Sequence, residues 1–348
     1  MATLTESSIA SRKGVRYTIY SIIIFIIARG LFLASVAAYK KAFPPPPTPP
    51  TVAFGKLTKI EFPATDKKQI SFSLETATGG IPEFPLLEKV FFMPKVSSNL
   101  LSLEYAKENA KRLGFNEESQ QSTESVYKFA HKSAPSIMET NIISGSFSIS
   151  YDLSVDPEPL SYHPTQPEVA AASIKSFLSG ASLFPPDLTG PIEHKFLKTQ
   201  GGVFVPATSQ SDASLVRIDL FRKSINDLPA VTKKPLEANV WFMVSGIRDR
   251  GRDILAGEYH YFPVDESQVA TYPIKSGEAV WQEFISGNYY PASFGTVAEG
   301  ESIKIRKVYL AYYDSGVYTE FYQPVYVFEG DKDFVGYVPA VTTDYYGE

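Results

Sequence analysis

One stretch constrains this chain before any other: residues 17–39 are mostly apolar, end at Lys40-Lys41 and run into the proline-rich residues 44–50. A helix of that length reaches about 34 Å at about 1.5 Å per residue, enough for a hydrocarbon core of about 30 Å. Arg29 stands near its middle and costs about 2.5–3.5 kcal/mol on insertion scales, whereas each Ile, Leu, Phe or Val returns about 0.3–0.6. Eleven such residues tip the balance toward insertion. The expectation is an uncleaved transmembrane helix in which Arg29 is a candidate partner contact. A cleaved signal peptide is the rival reading, with Arg12, Lys13 and Arg16 as its basic start and Ser35-Val36-Ala37 before the cut. The apolar run resumes after Arg29, which favours the anchor. Three cations precede the span and two follow it, so residues 1–16 are expected to be cytoplasmic and the rest extracytoplasmic. Residues 40–50 then form a polyproline stalk.

Composition narrows the function. The first 41 residues hold six Lys/Arg and one Glu, which leaves the remainder at a net charge of −10. So acidic a surface argues against nucleic acid and against adsorption on anionic lipid. Cysteine is absent, which removes disulfides, thiolate metal sites and a cysteine nucleophile. With 24 Phe and 21 Tyr, the composition favours strands.

The expected fold class is α+β, with antiparallel sheets each crossed by one helix. Three amphipathic helices stand out. The first covers residues 102–113 and ends at Gly114. The second opens with a Thr165-x-x-Glu168 capping box and stops at Gly180. The third follows Ser276 and stops at Gly287. Each is followed by alternating strand segments, which suggests helix-plus-meander units over residues 51–160, 161–235 and 236–348. In the segment 303–313, Ile303 and Ile305 share one parity and Val308 and Leu310 the other. A β-bulge near Lys307 would keep both pairs in the core.

Chemistry is harder to find. Ser125-x-x-Lys128, Ser224-x-Asn226 and Lys275-Ser276-Gly277 follow the chain order of penicillin-binding proteins. Ser125, however, falls in strand-like sequence rather than at a helix start, and Lys275 precedes a helix. The pattern is therefore rejected, and no catalytic residue is expected. Four histidines (His131, His163, His194, His260) show no ligand spacing, and Asp331-x-Asp333 lacks the rest of a calcium loop. Neither metal nor cofactor is expected. The loop holding Arg248, Arg250 and Arg252 is the one local basic concentration after the stalk, so these three are candidate contacts for an acidic partner.

The C-terminal third, in Tyr272 to Ala279, Phe284 to Gly287, Val308 to Tyr313, Pro324 to Glu329 and Tyr337 to Ala340, resembles the YycH/YycI-type, PepSY-like extracytoplasmic regulators. The residues around Pro49 to Leu57 and Ile60 to Pro63 resemble uncharacterised single-pass envelope proteins of candidate-phyla bacteria. The first resemblance implies a single-span regulator of a membrane sensor kinase and the second an envelope protein without an assigned activity; with no catalytic motif found, the expected function is a membrane-anchored protein-binding module without catalysis. A structural or adhesive surface component is the alternative, and an envelope hydrolase the third.

Overall fold

The computed structural model describes residues 17, 20–22, 24–36, 49–66, 68–95, 99–249 and 251–347. Two units emerge, residues 1–49 and residues 50–348. In the first, the described residues 17, 20–22 and 24–36 are helical and exposed save for half-buried Val36. Arg29 is among the exposed ones. Among the described residues, no helix is long and apolar enough to cross a membrane. Residues 18, 19, 23 and 37–48 of the expected span and stalk lie outside the described set.

The second unit runs in the order β1 (Ser71–Leu74), β2 (Leu87–Phe92), α1 (Ser102–Arg112), β3 (Phe115–Gln121), β4 (Val126–His131), β5 (Ser136–Asn141) and β6 (Phe147–Tyr151). Then come α2 (Pro167–Gly180), β7 (Ile192–Gln200), β8 (Val203–Pro206), β9 (Leu215–Leu220), β10 (Ala230–Val231), β11 (Val240–Val244), β12 (Ile254–Tyr259) and β13 (Asp265–Pro273). Last are α3 (Gly277–Ile285), β14 (Tyr290–Ser293), β15 (Ser302–Tyr313), β16 (Phe321–Tyr322), β17 (Pro324–Gly330) and β18 (Val335–Pro339). The fold is mixed α+β, mostly antiparallel, with few helices.

Nine strands form one antiparallel sheet in the order β3-β4-β5-β6-β12-β11-β9-β7-β8. Its strands alternate in burial, as in Val240, Phe242 and Val244 of β11, so one face is free to take helices. Both α1 and α2 lie there. Ala106, Ala110 and Leu113 of the α1 region and Ala170, Ile174 and Leu178 of α2 share a core with Phe129, Met138, Ile149 and Phe242. The expected one helix per sheet is therefore corrected. Among the described residues, two helices cover the nine-stranded sheet, α3 packs with the second sheet, and the third sheet carries none.

That second sheet is built on β15, flanked by β1 in parallel and β17 antiparallel, with β18, β14 and the short β10 completing it. Pairing steps from Ile305↔Gly330 to Lys307↔Glu329, so Arg306 is the extra residue of a β-bulge. Ile303, Ile305, Val308 and Leu310 consequently all reach one core, where Phe284 of α3 stacks on Phe328 at 4.1 Å. A three-stranded sheet, β13-β2-β16, adjoins it.

The sheets run across the expected boundaries at 160/161 and 235/236. Strands from before residue 93 pair with strands after 264, and the whole nine-stranded sheet is inserted between them. The capping box also fails. Gln166 is the N-cap of α2 and no side chain caps it, because Pro167 starts the helix one residue too late for the Thr165 hydroxyl. Ser276 does cap α3, accepting from the Ala279 N–H at 3.2 Å.

Candidate functional site

A cleft of about 630 Å³ lies between the end of α1, the outer turns of α2 and the loop after β11. Its position follows from local sequence. Gly114 takes the left-handed conformation (φ +97°) that ends α1 and turns the chain into β3. Gly251, also left-handed (φ +90°), turns the loop back toward β12. A Cβ at Gly114 would lie 3.0 Å from His131 Nε2, and one at Gly251 would lie 2.3 Å from His131 Cε1. The two glycines thus leave room for the imidazole, and Phe115 meets it edge-on at 5.2 Å.

His131 Nδ1 accepts a hydrogen bond from the Ser133 N–H at 3.3 Å, so the neutral ring carries its proton on Nε2. Burial, reinforced by the neighbouring Lys132 charge, pushes its pKa below the ordinary imidazole value. Asp253 stands at the cleft with its carboxylate accepting from the Gly251 N–H at 3.1 Å. Burial raises its pKa despite that bond. Ser133, Ser173 and Ser176 add hydroxyls, and Arg112 and Lys132 add positive charge. No serine hydroxyl of the cleft bonds to His131 or Asp253 among the described residues. The arrangement offers donors and acceptors for a bound polar chain.

The loop that closes one side is strapped down. A Cβ at Gly246 would fall 1.8 Å from the His163 carbonyl oxygen, so only glycine allows this approach. Arg252 Nη2 bonds to Asp156 Oδ2 at 2.7 Å and to Glu158 Oε2 at 2.6 Å, and Nη1 reaches Asp249 at 3.4 Å. Glu158, Tyr151 and Asp156 hold its pKa above the ordinary value. Arg252 is therefore an internal clamp, paired with three carboxylates of this chain. Arg248 is exposed, and Arg250 lies outside the described residues.

The serine pattern is not brought together. Lys128, on β4, pairs with Glu139 at 2.8 Å, while Lys275, next to α3, pairs with Glu283 at 2.7 Å. Lys128 lies in the nine-stranded sheet, whereas Lys275 lies in the turn between β13 and α3. His163 bonds to the Ala213 carbonyl at 3.0 Å, and His260 lies 3.5 Å from Glu258. Among the described residues no group of three His, Cys, Asp or Glu is placed to hold a metal. Asp331 and Lys332 pair instead with Arg306 and Glu301 in the turn between β17 and β18.

Sequence reasoning missed His131, which it treated only for metal spacing, and Asp253, next to the three arginines it singled out. The glycines Gly114 and Gly251 were the available signal, since each marks a left-handed turn. What they enclose depends on sheet pairing between distant strands.

The molecule is thus a mixed α+β protein with a cleft over a large antiparallel sheet. No family model matches the chain, and no curated protein matches it. Among solved structures it is similar to the crystal structure of an uncharacterised protein from Eubacterium rectale, at 10% identity. That likeness covers 82% of this chain and 91% of the other, with a TM-score of 0.37.

Proposed function

We propose that residues 50–348 form a binding module for another protein of the bacterial envelope, without catalysis, carried on a single-pass anchor at residues 17–39. The cleft of about 630 Å³ between α1, α2 and the loop after β11 carries this reading. It is open and rich in hydroxyls, and its one imidazole is held by backbone rather than aimed at a nucleophile. Arg248 stands exposed on the same loop as a contact for an acidic partner. The apolar run at residues 17–39 supports the anchor, and Arg29 within it supports a contact with a second membrane helix.

A photo-crosslinking residue placed at Ser176, on the exposed rim of the cleft, is expected to capture a membrane protein in native membranes. The same residue at Val317, exposed on another part of the unit, is expected to capture none. Equal yields at the two positions, or none at either, would sink the reading. Arg29→Leu divides the roles: loss of the captured partner makes the anchor part of the contact, and an unchanged yield makes it a tether.

The structural or adhesive reading has one observation of its own. Strand β8 ends the nine-stranded sheet with Val203 60% and Phe204 38% exposed, an unpaired apolar edge. Under that reading the chain assembles with rising concentration in sedimentation and Phe204→Lys abolishes assembly. A monodisperse chain at all concentrations removes it.

A further inference from the structure

Strand β1 is the outermost strand of the second sheet, with β15 as its one neighbour there among the described residues. The Ser71 N–H donates to the Glu301 carbonyl at 3.0 Å and the Glu75 N–H to the Ile305 carbonyl at 2.9 Å, with Phe72 level with Ile303. Bonding residues alternate along a parallel ladder, so Ser71, Ser73 and Glu75 turn their backbone to β15, while Phe72 and Leu74 turn N–H and C=O to the free edge. Those groups of Phe72 find no partner among the described residues. Its side chain fixes the edge in place, 4.5 Å from the Phe284 ring of α3 and edge-on to Tyr289 at 5.5 Å.

Open sheet edges are normally blunted. At the ends of the nine-stranded sheet, β3 carries Glu117 and Glu118 and β8 stops in Pro206; β14, at the opposite end of the sheet that holds β1, carries Pro291. By contrast β1 reads Ser-Phe-Ser-Leu, with neither charge nor proline. A groove of about 410 Å³ lies beside it, between residues 68–72 and the end of α3, where Ile285 is 44% exposed and Tyr289 half-buried. Among the described residues Lys68 is the one charged member of the lining, and its Nζ donates to the Val297 carbonyl at 2.7 Å.

We propose that this groove binds an extended segment of another polypeptide, which pairs with β1 as an added strand and sets an apolar side chain against Ile285 and Tyr289. The free groups of Phe72 and Leu74 recur every second residue, about 6.6 Å apart, which is the repeat of a second strand. An added strand takes roughly 160 Å³ per residue, from a spacing of about 4.8 Å, a depth of about 10 Å and a rise of about 3.3 Å, so the groove holds about two to three residues of one chain. A second copy pairing through its own β1 would bring its own α3 into the same space, which leaves a free segment as the occupant that fits. With Lys68 engaged, apolar contact rather than charge selects that segment. This site depends on neither the cleft nor the anchor.

The test reads amide hydrogen exchange in the full chain with and without the blocked peptide acetyl-Thr-Ile-Thr-Ile-Thr-amide. Without peptide, the Phe72 N–H is expected to exchange fast and the Ser73 N–H, turned to β15, slowly. At a peptide concentration about ten times Kd, Phe72 is expected to slow about tenfold while Ser73 stays as it was. The same peptide N-methylated on its third and fourth residues loses a main-chain bond in either register, and is expected to bind about tenfold more weakly, the worth of roughly one hydrogen bond. Ile285→Lys charges the wall at a helix end that tolerates a cation, and is expected to weaken binding by at least as much with Ser73 still protected. The proposal is overturned if the peptide leaves Phe72 exchange unmoved, if the methylated peptide binds equally well, or if Ile285→Lys binds unchanged. It is equally overturned by Phe72 protection that appears without peptide and rises with protein concentration, the sign of a second copy on the edge.

Discussion

Arg222, with its side chain 1% exposed, sits where the nine-stranded sheet meets the rest of the unit. Its Nε donates to Asp314 Oδ2 at 2.9 Å, its Nη1 to Asp187 Oδ2 at 2.6 Å, and its Nη2 to the Phe262 carbonyl. Tyr261 lies beneath the guanidinium at 4.4 Å. Burial works against the charge, but Asp314, Tyr322 and Asp187 outweigh it and hold the pKa above its ordinary value. Arg222→Met would leave two carboxylates with no cation, and is expected to cost about 3–5 kcal/mol in urea unfolding. A loss under 1 kcal/mol, within the range of an exposed pair, would contradict the clamp. The histidines give a second prediction at this scale. Burial lowers the pKa of both His131 and His260 below 6.5, so the unfolded chain binds more protons between the folded values and 6.5. Stability contributed by these rings is complete above that window and is lost as pH falls through it. Asp253, raised above 3.8 by burial, acts with the opposite sign in a lower window. The urea midpoint is expected to fall as the solution is taken from about pH 7.5 to about pH 5.5, and His131→Gln to flatten that slope in part. A slope unchanged in His131→Gln would remove the ring from the account.

At the scale of elements, the loop after β11 depends on one close approach. Gly246→Ala would drive a methyl into the backbone of His163 and Pro164, which cannot swing aside as a side chain can. Unfolding by urea is expected to show a loss of about 2 kcal/mol or more, whereas Gly80→Ala, with nothing within 4 Å of its Cβ, is expected to stay within about 0.5 kcal/mol of the parent. Comparable losses in the two variants would place the cost in glycine content rather than in this contact. Elements were also where the sequence was most readable. The helices at 102–112 and 277–285 announced themselves through 3.6-residue spacing and through Gly114 and Gly287, both left-handed in the fold. The bulge in β15 followed from parity alone, because a strand whose apolar set changes sides must gain a residue. Strand β3 was not readable. Its sequence Phe115–Gln121 is almost wholly polar because it is a sheet edge facing solvent on most positions, so no alternation marks it. The start of α2 misled because a capping box is defined by one residue of register, and Pro167 shifted that register.

Across the whole molecule, legibility ends where distant segments pair. Nothing in residues 71–74 says that they lie parallel to 302–305, or that residues 87–92 join 265–273. Pairings of that range are chosen by which cores close best, not by local pattern. The same long range decides the site. His131, Asp253 and α2 meet only because β4 and β12 belong to one sheet, and that order is not written in any of them. The ends of the described unit are coupled in a similar way. The Leu57 N–H donates to the Tyr345 carbonyl at 2.9 Å, the Gly347 N–H donates to the Leu57 carbonyl at 2.8 Å, and the Ile60 N–H donates to the Tyr346 hydroxyl at 2.9 Å. Ending the chain after Val341 is expected to free residues 51–60 for limited proteolysis and to speed hydrogen exchange at Leu57, with the nine-stranded sheet still protected. Protection of Leu57 unchanged by the truncation would show that Tyr272 and Thr271, which also hold this segment, suffice.

Leu57 and Tyr346 form a parallel bridge, so the chain enters and leaves this unit at one place. The order in which the strands are read out is then partly a matter of where the loop is cut. Joining residue 347 to residue 50 and opening the exposed Gly201-Gly202 turn between β7 and β8 would give a circular permutant with the same sheets. In such a permutant the chain would begin and end at the β8 edge of the nine-stranded sheet, while every strand kept the neighbours it has now.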